Sequence, residues 1–207
     1  MRTQQPTGIL LPPITIKSTN HEHDVFGTMS LLLATLLPGL VLLALGLPLL
    51  LNSTRAVAIL KSFPRSTSAA LIFFGAGSLW FLYNVWHLSP ADFGNYRVPL
   101  ALGFAAVAVL AFKCVPDFLA VRGLCVLTLL SAQPLLGAAY MEYQHPQRLF
   151  MVTIVYLLIA IAIWFGASPF RLRDFFGWLF ARPARTRGFG AAIAAYGLLL
   201  SIVAFTY

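Results

Sequence analysis

One apolar run near the amino terminus decides the fold: Met29–Leu51 reads MSLLLATLLPGLVLLALGLPLLL, without a charged residue. As a helix rising 1.5 Å per residue, this run is about 35 Å long. It therefore exceeds the ~30 Å hydrocarbon core of a bilayer. Pro38 removes a backbone donor inside the run, which predicts a bend there. The stretch is typical of a transmembrane helix.

Five further apolar runs follow the first one. Hydrophobic residues make up 59% of the chain and charged residues 10%, and the mean hydropathy is +0.84. Soluble domains carry about 25% charged residues, and transmembrane barrels show short alternating segments instead of continuous runs. The sequence thus predicts an all-α, polytopic helical membrane protein with one transmembrane domain, 29–207. Its spans are expected at about 29–51, 67–88, 98–115, 118–141, 149–167 and 189–207.

Lys and Arg are divided unequally between the two sets of connecting loops. Ten lie in or beside the loops that follow the first, third and fifth spans, and the other side holds Arg2, Lys17, Arg97 and Arg148. Because cytoplasmic loops retain Lys and Arg, we expect the first set to be cytoplasmic. The polar tail 1–28 and both termini are then external, in a bacterial inner (plasma) membrane. The net charge of +8 has the same origin, so nucleic acid is not predicted as a partner.

The longest basic loop, 168–188, predicts a short helix on the cytoplasmic leaflet at about 171–182. Leu172, Phe175 and Leu179 form an apolar stripe on it, and each neighbouring cation is worth about 1 kcal/mol beside an anionic leaflet. The predicted lipid-headgroup ligands are Arg171, Arg173, Arg182, Arg185 and Arg187. Besides the lipid bilayer, other membrane-protein subunits are the expected partners.

Polar and aromatic residues recur at helical spacing toward the external half of three spans. On the second span the spacing i, i+3, i+4, i+7 puts four of them on one face. Buried amides and hydroxyls in hydrocarbon need partners, so these faces either hold helices together or line an outward-facing pocket. An aromatic belt at the interface is a third explanation. The pocket candidates are Trp80, Tyr83, Asn84, His87, Gln133, Tyr140 and Tyr156.

All four histidines and most of the acids fall on the predicted external side. Imidazole and carboxylate are usual ligands for zinc, copper or iron, so the side chains of His21, His23, His87, His145 and Glu142 are weak metal candidates. The spacing matches no helical metal motif. A polar docking patch and the absence of any specific role are the alternatives. A single histidine within a span, His87, is slim support for haem ligation.

Catalytic motifs are absent: there is no G-x-S-x-G, C-x-x-C, P-loop or H-E-x-x-H, and no acid near the middle of a span. The sequence leaves any cofactor unknown, with none as one alternative, and leans against an enzyme. The leading hypothesis is a structural, accessory or assembly subunit of a larger membrane complex. The alternatives are a small transporter or permease-like protein with an outward-facing polar pocket, and a metal-dependent membrane enzyme that uses the external histidines.

Overall fold

The computed structural model describes residues 29–207, so the predicted tail 1–28, with His21 and His23, lies outside the described residues. Over this range the chain is helical, and no strand interrupts it. Six helices are long and apolar enough to cross a membrane, which confirms the predicted all-α class and the six spans. The α-helices are α1 Leu31–Leu50, α2 Thr54–Ser62, α3 Thr67–Trp86, α4 Arg97–Cys114, α5 Leu119–Ala138, α6 Arg148–Ala167, α7 Phe170–Leu179 and α8 Pro183–Ala204.

The two remaining helices, α2 and α7, are short and lie between spans. Helix α7 occupies the place of the predicted interfacial helix. Helix α2 falls in the segment 52–66, for which the apolar pattern indicates only a connecting loop. Helix α8 begins at Pro183, ahead of the predicted boundary at 189, because proline at a first helical position has a φ suited to the helix and the basic residues after it continue the same helix.

Helices α1 and α8, the first and last spans, form an antiparallel pair with small residues along their contact. A Cβ on Gly39 would lie 2.8 Å from Ser201 Oγ, and one on Gly46 would lie 2.6 Å from the Ala194 nitrogen. As residue numbers rise along α1, the numbers of the residues that it contacts on α8 therefore fall, so the two helices are antiparallel. Membrane helices gain packing energy from such close approach, since burial from water does not drive them together.

Helix α5 runs parallel to α3 and contacts it through glycine. Gly123 lies against the backbone of Phe73 and Phe74, and Gly77 lies against Val126. The contacting residues rise in number together on both helices, which shows that the two helices run in the same direction. They both begin at the end of the bundle that holds α2, α7 and the turn 115–118, which we call the basic end.

A hydrophobic core near the end of the bundle opposite the basic end joins four spans. It fixes how the α1–α8 pair packs against α5 and α6. Met151 of α6 and Leu200 of α8 are fully buried there, and the Tyr196 hydroxyl donates to the Phe150 carbonyl at 2.9 Å. The buried members are Ala34, Leu42, Ala132, Ala139, Met151, Ile154, Val155 and Leu200.

Helix α4 lies at the edge of the bundle. It packs against α3 through two edge-to-face aromatic pairs, Phe81–Phe104 at 4.9 Å and Phe74–Phe112 at 5.3 Å. Within the described part of the chain, no residue of α4 is buried, whereas each of the other five spans buries at least three. Among the described helices, α4 therefore has α3 as its main neighbour.

Candidate functional site

The polar face of α3 ends in a local arrangement of His87 and Tyr83. The Nδ1–H of His87 donates to the Tyr83 carbonyl at 2.8 Å, and the two rings are 4.2 Å apart. The same carbonyl also accepts from the His87 backbone N–H at 3.2 Å, so the side chain adds a second donor at the helix end. Both side chains are exposed, and Trp80 is half-buried. His87 thus caps its own helix.

Asn84 is the polar residue of this face that turns inward. Its Oδ1 is buried and has no hydrogen-bond partner among residues 29–207. Because Gly77 lies against Val126 on the parallel helix, a step of seven residues along both helices puts Asn84 level with Gln133 and Pro134. Proline offers no N–H to a neighbouring oxygen. Among residues 29–207, Asn84 is thus the predicted polar residue whose oxygen turns away from the surface of α3.

The candidates on α5, in the turn after it and on α6 lie on the outside of the bundle. Gln133, Tyr140 and Tyr156 are all exposed. An apolar groove of about 250 Å³ does open between α3, α4 and α5, but none of the seven pocket candidates lines it. Tyr140 fits an aromatic belt at the interface, whereas Tyr156 lies near the middle of α6. The polar pocket stays a prediction whose residues the described structure leaves on different surfaces. The groove is lined by Phe74, Ser78, Phe81, Leu82, Phe104, Val107, Ala108 and Val126.

The metal candidates within the described range do not gather. His145 packs edge-on against the Tyr207 ring at 5.3 Å, and Glu142 is exposed. Among residues 29–207, no three His, Cys, Asp or Glu side chains are grouped as metal ligands. His21 and His23 lie outside that range, so a site that includes them remains a prediction.

The arginines predicted to bind lipid headgroups belong to a larger basic surface that includes α2. Lys61 of α2 lies 5.8 Å from the Phe180 ring, directly after α7, and the Arg185 guanidinium lies 4.7 Å from the Trp178 ring. Arg173 pairs with Asp174 at 2.8 Å. The remaining predicted arginines, Arg171, Arg182 and Arg187, are exposed.

The corner between α7 and α8 is closed by two hydrogen bonds to the last carbonyls of α7. The Thr186 hydroxyl, which is buried, donates to the Leu179 carbonyl at 3.1 Å. Arg185 donates to the Trp178 carbonyl at 3.3 Å. A cation at a helix C-terminus also meets the negative end of the helix dipole. Sequence reasoning missed this corner, because the spacing of Arg185 and Thr186 from the carbonyls that they cap matches no local capping pattern.

Comparisons of the chain with protein-family models, with curated proteins and with solved structures give no match.

Proposed function

We propose that this protein is an accessory or assembly subunit of a larger membrane complex, and that α4 is the helix that meets its partner. The observation that carries the proposal is the position of α4, which packs mainly against α3 and has no buried residue in the described chain. Packing mainly against one neighbour gives a span few of the close contacts that hold membrane helices together. A transmembrane helix of a second protein, seated on the open side, would supply the missing contacts.

The composition of α4 supports this assignment. Its outward face alternates large and small apolar residues, among them Leu102, Ala106 and Val109, and Gly103 has open space where a Cβ would lie. Small residues let a neighbouring helix approach closely. The groove beside Phe104 further separates α4 from α5, so a partner helix there would contact more than one span.

Photocrosslinking in native membranes tests the proposal. A photoreactive residue replacing Val109 of α4, which is 71% exposed, is expected to form one adduct with a different polypeptide of fixed mass. The matched control is the same residue at Leu198 of α8, also exposed in mid-span. Adducts of the same masses and yields from both positions would reject α4 as the docking helix.

We further propose that the basic end faces the cytoplasm of a bacterial cell, with the loops 87–96 and 139–147 outside. The support is the excess of Lys and Arg at the basic end, since retained cations set orientation. In a chain without Cys114 and Cys125, Gln144→Cys is expected to react with an impermeant thiol reagent in intact cells. Ala181→Cys is expected to react only after lysis. Labelling in the reverse order would invert the proposed topology.

A further inference from the structure

We propose that the seam between α2 and the α7–α8 corner binds the phosphate headgroup of an anionic phospholipid. The seam consists of 54–65 on one side and 170–187 on the other. Its binding groups are cations from both sides, so that neither helix alone forms the site.

The charge of the seam is almost entirely of one sign. It carries eight Lys and Arg and one acid, Asp174, which already pairs with Arg173 at 2.8 Å. Such a surface attracts anions, and near a membrane the abundant anions are headgroup phosphates. The cations are Arg55, Lys61, Arg65, Arg171, Arg173, Arg182, Arg185 and Arg187.

Aromatic rings hold several of these cations in place. Arg171 lies 5.4 Å from the Trp164 ring, Arg185 lies 4.7 Å from Trp178, and Lys61 lies 5.8 Å from Phe180. A guanidinium on an aromatic face keeps N–H donors at its edge, where they match phosphate oxygens. Because the Lys61–Phe180 contact crosses from α2 to the end of α7, it aligns the two halves of the seam.

The scaffold beneath the cations is fixed. Leu172 and Leu179 bury the inner face of α7, and the Thr186 bond to the Leu179 carbonyl ties α7 to α8. Side chains on a rigid corner lose less conformational freedom when a ligand binds, which favours binding.

Exposed apolar side chains beside the cations favour a phospholipid over an acidic polypeptide. Ile59 of α2 is 66% exposed, and Phe170 and Trp178 of α7 are about half exposed. Cations mixed with exposed aliphatic and aromatic side chains are typical of helices that lie at the headgroup level. One phospholipid molecule can bind both groups, because its phosphate contacts the cations and its acyl chains contact the exposed apolar side chains.

Native mass spectrometry of the full chain tests the site. The protein is equilibrated with mixed micelles that contain equal amounts of phosphatidylglycerol and phosphatidylcholine, and bound lipids are counted. We expect selective retention of phosphatidylglycerol, and we expect Lys61→Gln and Arg185→Gln each to weaken it about fivefold, the equivalent of one cation near a charged surface. Arg97→Gln, an exposed arginine at the opposite end, is the matched control and is expected to leave retention unchanged.

Lys61→Arg separates charge from folding, because it keeps the cation and is expected to retain the lipid as the parent does. Three results would overturn the proposal: equal retention of the two lipids by the parent, an equal loss in Arg97→Gln, or retention by Lys61→Gln and Arg185→Gln at the parental level. Displacement of bound phosphatidylglycerol by polyglutamate at an equal concentration of charge would assign the seam to an acidic polypeptide instead.

Discussion

Gly123→Ala is expected to destabilise the protein by about 1–3 kcal/mol or more, the usual range for overpacking. The new Cβ would lie 2.6 Å from the Phe73 carbonyl carbon and closer still to the Phe74 nitrogen. These are backbone atoms of a packed helix, so they cannot rotate away as a flexible side chain would. Relief requires α3 and α5 to separate along their contact. The measurement is the thermal unfolding midpoint of the purified protein in one detergent.

Gly137→Ala is the matched control on the same helix. Nothing lies within 4 Å of a Cβ at Gly137, and alanine is the better helix former by about 1 kcal/mol. Its midpoint is expected to stay level or rise. Equal midpoints for the two variants would show that α3 and α5 do not touch at Gly123.

Gly190→Ala is expected to have the second large effect, at the contact between the first and last spans. Its Cβ would meet the Leu50 nitrogen and lie 2.7 Å from the Leu49 carbonyl carbon. The pair α1–α8 would be pushed apart at the basic end, with a cost again in the overpacking range of about 1–3 kcal/mol. Gly188→Ala, two residues earlier in the same helix, meets no atom within 4 Å.

The two α8 variants can be compared by limited proteolysis in detergent as well as by unfolding. We expect Gly190→Ala to expose the segment around α2 to cleavage sooner than the parent does, whereas Gly188→Ala keeps the parental pattern. Faster cleavage in both variants would mean that helix α8 itself, and not its contact with α1, is sensitive to alanine.

The helical class and the spans were predictable because the bilayer imposes a length and a composition on every crossing helix. Helix α2 was not predictable from apolar runs, since its nine residues include Arg55 and Lys61 and are too few to span. Its amphipathic pattern was present in the sequence, and Ser53 precedes it at the position where a capping residue is favoured.

Which helices are neighbours could not be predicted in the same way. A span in lipid is apolar on all sides, so periodicity does not mark its buried face as it does in a soluble helix. Gly39 and Gly46 mark a close contact of α1, but nothing in their spacing names α8 as the other helix. The position of α4 at the edge of the bundle depends on which helices are neighbours, so it could not be predicted from the sequence either.

The candidate pocket shows a related limit of sequence reasoning. Spacing predicts that Gln133 and Tyr140 share a face of the fourth span, but α5 ends at Ala138 and Tyr140 lies in the turn that follows. In the structure both are exposed, while Asn84, from the same set of candidates, turns its Oδ1 inward. The lipid-headgroup role expected for the arginines of the basic end stays a prediction.

The mass of the particle purified from native membranes in mild detergent tests the central claim most directly. An accessory subunit is expected in a stable particle of fixed stoichiometry with a second, larger polypeptide, well above the 22.6 kDa of this chain. Replacing Leu102 and Val109 on the open face of α4 with lysine is expected to release the chain from that particle, whereas the same change at Leu198 and Ile202 of α8 is not. A detergent-stable monomer, or a particle made of this chain alone, would contradict the account.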